Sequence, residues 1–427
     1  MALPSVPSGV RKTVLGNGLR VLSESMPAVR SVSLGIWLKA GSRHEAGSDS
    51  GLTHFTEHMV FKGTERFSAR DIAYAIEGLG GHLDAFTSKE TTAFTAKILD
   101  QHWPRAFEIL SDMVQNPRFD DGDIEKEKGV ILEELKMDED NPDYLLGTIF
   151  AKSFWSNHGM GRPIIGTRES IRSFDRRQLR RFFGTTFHSG NLLVTAAGNL
   201  DHEDLVLEAE SRFGADAGSC EERSEPAPVV TPEIVLRDKP ALEQVHLALG
   251  IEAFPARDLR RFAGFVLSTM LGGGFSSRMF QKIREEAGLA YSVYSDLGLY
   301  SDTGCLSIGA GTSLDALPQV LEYILREFRD LKDRPAPESE IRRAKDHLKG
   351  SLMLSLESTG SRMAHLARQE AYHGKIRSLD EVNEEIEAVT AGQVQELAQR
   401  WFRPEQIALS LLGNLQGLRI GREQLAC

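Results

Sequence analysis

The sequence predicts an α+β protein of two homologous αβ-roll domains, each a bent, mostly antiparallel sheet with helices packed against it. Three observations carry this prediction. Strand-like and helix-like segments alternate along the chain, a Gly-Asn-Leu signature recurs half a chain apart, and 427 residues exceed one ordinary hydrophobic core. Leu192 to Ala197 reads as a strand ending in Gly198-Asn199-Leu200, and Ile407 to Leu412 as a strand ending in Gly413-Asn414-Leu415. The offset is 413 − 198 = 215 residues, and it roughly aligns Val32 to Trp37 with Val245 to Ile251. Two copies of one αβ unit explain both matches. Residues 1–213 and 232–427 are the expected domains. Residues 214–231, with Gly, Pro, Ser and acidic side chains but little periodicity, read as an exposed linker.

In chain order, a strand from Thr13 turns at Asn17-Gly18 and returns through Leu19 to Leu22, a hairpin pattern. A strand is expected at Ser31 to Lys39. A helix then holds His54 to His58, entered through a loop at Gly51 with Thr53 as its N-cap. Ser68-Ala69-Arg70-Asp71 has the form of a capping box for a helix to Leu79, ended by Gly80-Gly81. His82 to Thr87 and Thr91 to Leu99 read as a second hairpin around Ser88-Lys89-Glu90. Helices fit Pro104 to Gln115 and Asp121 to Lys136, the latter closed by Asp138-Glu139-Asp140-Asn141-Pro142, read as a solvated turn. The second half repeats strand, helix, strands and helices, with capping patterns at Ser378 to Glu381 and Thr390 to Gln393.

His54-Phe55-Thr56-Glu57-His58 is the stretch that carries chemistry. At about 100° per residue, the two histidines at i and i+4 point the same way, with Glu57 beside them. Two imidazoles on one helix face can hold a zinc ion, and a neighbouring carboxylate can take a proton from water. The order is that of an inverzincin, H-x-x-E-H. Met59, Val60 and Phe61 continue an apolar helical face. The corresponding stretch of the second copy, Thr269 to Gly273, offers no zinc ligand, so only the first copy holds metal chemistry.

Composition narrows the function. A formal charge of −11 argues against a general nucleic-acid binder and favours attraction of cationic peptides. Cys220, Cys305 and Cys427 are odd in number and far apart, which suggests neither a disulfide framework nor a cysteine zinc site and points to a reducing compartment. No apolar run approaches the ~18 residues of a membrane span. The first residues lack a signal-peptide pattern, so a cytoplasmic location is expected.

Two histidines leave zinc short of protein ligands. The segment Glu125 to Lys136 is the best source of a third, because Glu127, Ile131 and Glu134 share one helical stripe while Glu133 points about 100° away. Spacing alone does not decide between Glu133 and Glu134. Here the chain resembles the pitrilysin family of zinc peptidases, which includes insulin-degrading enzyme. It is most similar to the short-chain group containing the mitochondrial processing peptidase and its bacterial relatives. That family joins H-x-x-E-H to a glutamate 76 residues after the second histidine, and here 134 − 58 = 76. The resemblance extends through Gly41-Ser42-Arg43, Gly81 to Thr87, Arg162 to Thr167, and Gly272 to Arg278.

It implies one Zn2+ per chain on His54, His58 and Glu134, Glu57 as general base, and Glu127 orienting a liganding imidazole from behind. It also implies that Arg284 and Tyr291 face the zinc from the opposite half, the arginine holding a substrate carbonyl and the tyrosine stabilising the oxyanion. An extended peptide is expected to add a strand beside Asp84, Ala85, Phe86 and Thr87. The expected activity is endopeptidase cleavage of short or unfolded chains in a chamber closed by a homodimer. The rivals are a non-catalytic assembly subunit of the same family, which need not keep the complete metal set, and a zinc-dependent protein that captures peptides without cutting them. Gly272 to Gly274 lacks the Gly-Lys-Ser or Gly-Lys-Thr of a phosphate loop and reads as a close backbone approach.

Overall fold

In the computed structural model, which describes residues 9–216 and 225–427, strands Val10–Val14 (β1) and Arg20–Ser25 (β2) pair antiparallel around the Asn17-Gly18 turn. Gly18 adopts φ 87°, a left-handed conformation that glycine takes without a Cβ penalty. Strands Ser31–Leu38 (β3), His82–Thr87 (β4), Thr92–Leu99 (β5) and Leu192–Gly198 (β6) complete a six-stranded sheet in the order β1-β2-β6-β3-β5-β4. Every pairing is antiparallel except that of β2 with β6.

Against one face of this sheet lie helices Leu52–Val60 (α1), Ala69–Gly78 (α2) and Trp103–Gln115 (α3). Val32, Leu34 and Ile36 of β3 and Phe94 and Ile98 of β5 pack with Phe107, Leu110 and Val114 of α3. Burying each such side chain contributes about 1.5–3 kcal/mol. Ser68 caps α2: its hydroxyl accepts from the Asp71 N–H, and the Asp71 carboxylate accepts from the Ser68 N–H. The next helix, Asp121–Asp140 (α4), runs past the expected end at Lys136. Asp138, Glu139 and Asp140 form its last turn and are not a solvated loop, because Asn141 caps the following helix Pro142–Phe154 (α5) without an intervening turn.

The second sheet repeats the first. Strands Ile234–Asp238 (β7), Val245–Ala253 (β8), Ala290–Leu299 (β9), Gly304–Thr312 (β10) and Ala408–Gly413 (β11) lie in the order β7-β11-β8-β10-β9. Without β1, the first sheet has the same arrangement, including one parallel pair at the same place. Helices Arg261–Gly272, Leu317–Asp333 and Ala391–Trp401 fill the core on one face. Gly272 is a close-approach position, since a Cβ there would lie 2.7 Å from the Tyr294 carbonyl carbon.

The expected cut into 1–213, 214–231 and 232–427 does not describe the compact units. One unit comprises Met1–Met137, Arg162–Glu225 and Ser355–Ser378, the other Asp138–Gly161, Pro226–Leu354 and Leu379–Cys427. Each half of the sequence therefore gives a helix to the other sheet. The physical reason is the apolar outer face of each sheet. Leu22, Trp37, Ala93 and Leu193 are buried by Met363, Leu366 and Ala367 of helix Thr359–His373, and Cys305 and Ala408 by Phe150 and Phe154 of α5. Residues 217–224 of the expected linker, including Cys220, lie outside the described residues. Cys305 and Cys427 are free thiols. Among the described residues, no helix is long and apolar enough to cross a membrane.

Candidate metal centre

Helix α1 opens at Gly51, whose φ of 92° and lack of a side chain are both required. A Cβ there would lie 2.5 Å from the Ile165 carbonyl oxygen and 2.7 Å from the Gly166 Cα. Thr53 is not the N-cap. It lies inside the first turn, and the N–H groups of Gly51 and Thr53 donate to the Glu45 carboxylate at 2.8 and 2.7 Å. Glu45 is buried, and burial pushes its carboxyl up to about 7 against the opposing pull of these two N–H groups and Arg162.

One turn further, His54 and His58 lie side by side with ring centroids 4.6 Å apart and ring planes tilted by 58°. Glu134 of α4 faces both, its carboxylate oxygens 3.7 Å from His54 Nε2 and 3.6 Å from His58 Nε2. One donor atom from each of the three lies within 4.8 Å of the others. Two imidazole nitrogens and one carboxylate oxygen converging in this way are a donor set suited to zinc. Glu133 instead pairs with Lys136, both side chains being at least half exposed.

The two histidines are held differently. His58 Nδ1 lies 2.9 Å from Glu127 Oε1. An ionised carboxylate only accepts, so Nδ1 carries a proton and Nε2 is the nitrogen turned toward Glu134. Burial pushes the Glu127 carboxyl up, but hydrogen bonds from His58 and Lys62 outweigh it and hold the group below the usual carboxylate range. The Lys62 ammonium is 2.6 Å from Glu127 Oε2. His54 has no such support, because its buried Nδ1 has no hydrogen-bond partner among the described residues. Burial, and then the neighbouring His58, push His54 down to about 3, so its ring is neutral at physiological pH.

Glu57 is buried beside this group, and its Oε2 accepts a 2.5 Å hydrogen bond from Thr87 Oγ1. Burial raises its pKa, the Thr87 bond and His58 oppose this, and Glu134 and Asp84 add to it. Asp84, Ala85, Phe86 and Thr87 lie on β4, which among the described residues is an edge strand paired with β5 alone. Phe86 is half exposed and packs edge-on against Trp37, with ring centroids 5.7 Å apart. Arg284 and Tyr291 belong to the other unit. The guanidinium lies 4.7 Å from the Phe280 ring centroid and 5.0 Å from that of Tyr291, and the tyrosine is exposed.

Sequence reasoning passed over Glu45, Lys62 and the Thr87 bond to Glu57. Lys62 had a signal, since it stands four residues beyond His58, in the turn that directly follows the helix. Glu45 had none, because it folds back from irregular chain to reach the helix start.

These features define a duplicated αβ protein with, among the described residues, one candidate metal centre, carried by one unit. A sequence profile described as insulinase (peptidase family M16) matches residues 20–168, and one described as the peptidase M16 inactive domain matches residues 173–348. The chain belongs to this family. It is 39% identical over 412 residues to the Bacillus subtilis protein named uncharacterized zinc protease YmxG, covering 95% of this chain and 99% of that one. It is also 39% identical over 397 residues to a Mycobacterium leprae protein described as an uncharacterized zinc protease, covering 92% and 89%. The fold matches a crystal structure titled as the peptidase M16 inactive domain from Pseudomonas fluorescens. The TM-score is 0.88 at 21% identity, over 95% of this chain and 98% of that one. A Helicobacter pylori protease matches with a TM-score of 0.87 at 20% identity, over 94% and 99%.

Proposed function

We propose that this chain is a zinc-dependent endopeptidase of short or unfolded polypeptides. The observation that carries the proposal is the convergence of His54, His58 and Glu134 within 4.8 Å beside the buried carboxylate of Glu57. His54 and His58 through Nε2, together with Glu134, would hold the zinc. When bound, zinc supplies a Lewis acid that polarises water and the scissile carbonyl.

The rest is done by side chains of this protein. Glu57, its pKa raised by burial, takes the proton of the attacking water and returns it to the leaving amine. Glu127 keeps the His58 proton on Nδ1. The edge strand β4 turns one side of its main chain, at Asp84 to Thr87, away from β5, and a peptide lies extended along it. Such bonding reads little sequence, which suits varied unfolded substrates, and the charge of −11 favours cationic ones. Arg284 and Tyr291 are assigned to substrate and not to metal. The chain is assigned to a homodimer, the commonest symmetric assembly.

Digestion of unstructured peptides, followed by mass spectrometry with and without a chelator, tests the activity. Glu57→Gln is expected to keep zinc and lose roughly 10²–10⁴-fold in turnover, whereas His58→Ala loses the metal. Peptide capture without cleavage by the zinc-loaded wild type would replace an enzyme with a binding protein.

A further inference from the structure

His58 is oriented through its side chain by Glu127, but the buried Nδ1 of His54 has no hydrogen-bond partner among the described residues. A liganding imidazole ordinarily takes its orientation from a bond to its second nitrogen. For His54, then, orientation has to come from the backbone that carries it.

That backbone is the first turn of α1, and its start is fixed from outside the helix. The N-cap is Gly51, which has no side chain to bond the free N–H groups. Glu45 does so instead, accepting from Gly51 N at 2.8 Å and Thr53 N at 2.7 Å, with Thr53 immediately preceding the ligand. Its carboxylate also lies at the positive end of the helix dipole. The segment bearing Glu45 is anchored in turn, since the Arg162 guanidinium donates to the backbone oxygens of Arg43 at 3.2 Å and Glu45 at 2.6 Å. Lys89 Nζ closes the group by donating to the Arg162 carbonyl.

We infer that Glu45 is the positioning residue for His54, acting through the peptide N–H groups of Gly51 and Thr53 as Glu127 acts on His58 through its ring. This rests on the reading of His54, His58 and Glu134 as zinc ligands. One carboxylate thus serves each histidine, and α1 is clamped at both ends of its metal-binding face. Neither clamp belongs to the cluster of His54, His58 and Glu134.

The test uses the full chain and zinc alone, with affinity measured by competition against a chromophoric chelator. Glu45→Gln, which preserves volume but leaves one oxygen to accept, is expected to bind zinc about 10–100-fold more weakly. Its cobalt(II)-substituted form should show an altered visible spectrum, because the His54 nitrogen has moved. A cap serving only folding would lower the melting temperatures of metal-free and loaded protein alike and leave affinity and spectrum unchanged; that result overturns the inference. Should Glu45→Gln not fold, Glu45→Asp decides. It keeps the buried charge but is one methylene too short for both bonds, so affinity must still fall. Wild-type protein that binds no zinc refutes the underlying site instead, whereas tight wild-type binding matched by the variants refutes only the role of Glu45.

Discussion

Thr87 Oγ1 donates a 2.5 Å hydrogen bond to Glu57 Oε2, joining the last residue of an edge strand to the carboxylate of the H-x-x-E-H helix. The bond favours the ionised form of a group that burial pushes toward the neutral one. Removing it in Thr87→Val, which nearly preserves shape, is expected to raise the Glu57 pKa. A general base must be ionised to work, so the acidic limb of the kcat/KM profile should move to higher pH while the zinc content stays full. An unmoved limb would separate Glu57 from the proton transfer.

Lys62 stands behind Glu127 as Glu127 stands behind His58, with contacts of 2.6 and 2.9 Å. Lys62→Met removes the cation that helps keep the buried Glu127 ionised. Protonated Glu127 accepts less well from His58 Nδ1, so zinc affinity is expected to fall about tenfold. The loss should be larger at pH 6 than at pH 8. Chelator competition at the two values measures it, and an equal loss at both would assign the effect to packing alone.

The legible part of this protein was whatever depends on local period and local chemistry. His54, Glu57 and His58 stand on one helix, so their common face follows from 3.6 residues per turn. The β4–β5 hairpin and the Ser68 cap follow from residues within a few positions of one another. The choice of Glu134 over Glu133 came from a family spacing and not from physics, because rotation about α4 is fixed by packing that the sequence does not display. Glu45 was illegible for a related reason: it caps a helix through irregular chain, where no capping pattern applies. The exchanged helices were hidden too. A helix pattern shows that an apolar face exists, and not which sheet covers it.

A sign of that exchange was nevertheless present, in a pair of glycines. Gly35 on β3 and Gly250 on β8 are separated by 250 − 35 = 215 residues, the repeat offset itself. A Cβ on Gly35 would lie 2.5 Å from Met363 Sδ and from Trp37 Nε1, and one on Gly250 would overlap the Phe150 ring. Each glycine thus makes room for the helix contributed by the other half. Gly250→Ala is expected to destabilise the protein by about 1–3 kcal/mol through overpacking. Gly35→Ala should cost a similar amount, since the methionine can change rotamer but the Trp37 indole, bonded to Thr195 Oγ1 at 2.7 Å, has no room to move. Urea unfolding gives both values, and a neutral Gly250→Ala would show that the outer helix is loosely seated.

Glu45 gives the fold a pH dependence whose sign can be worked out. Its carboxyl titrates near 7 when buried in the folded chain, against 4.5 when exposed, the main cause being desolvation, with Arg162 and the two N–H groups opposing. Between these values the folded state binds more protons than the unfolded state, so stability falls as pH rises. Below 4.5 the group is protonated in both states and the penalty is absent. Above 7 it is complete, at about 3 kcal/mol. Lys89, pushed down to about 8 chiefly by burial, is still charged throughout this window. Glu45→Gln removes the titration. In metal-free protein, the stability of Glu45→Gln relative to wild type should therefore increase from pH 4.5 to 7 and then level off, whatever constant cost the lost hydrogen bond adds. Denaturant unfolding of both proteins across that range measures the difference, which cancels the opposite contribution of the buried His54. A difference independent of pH would mean that the Glu45 carboxylate remains ionised throughout, held by the helix N–H groups more strongly than burial opposes it.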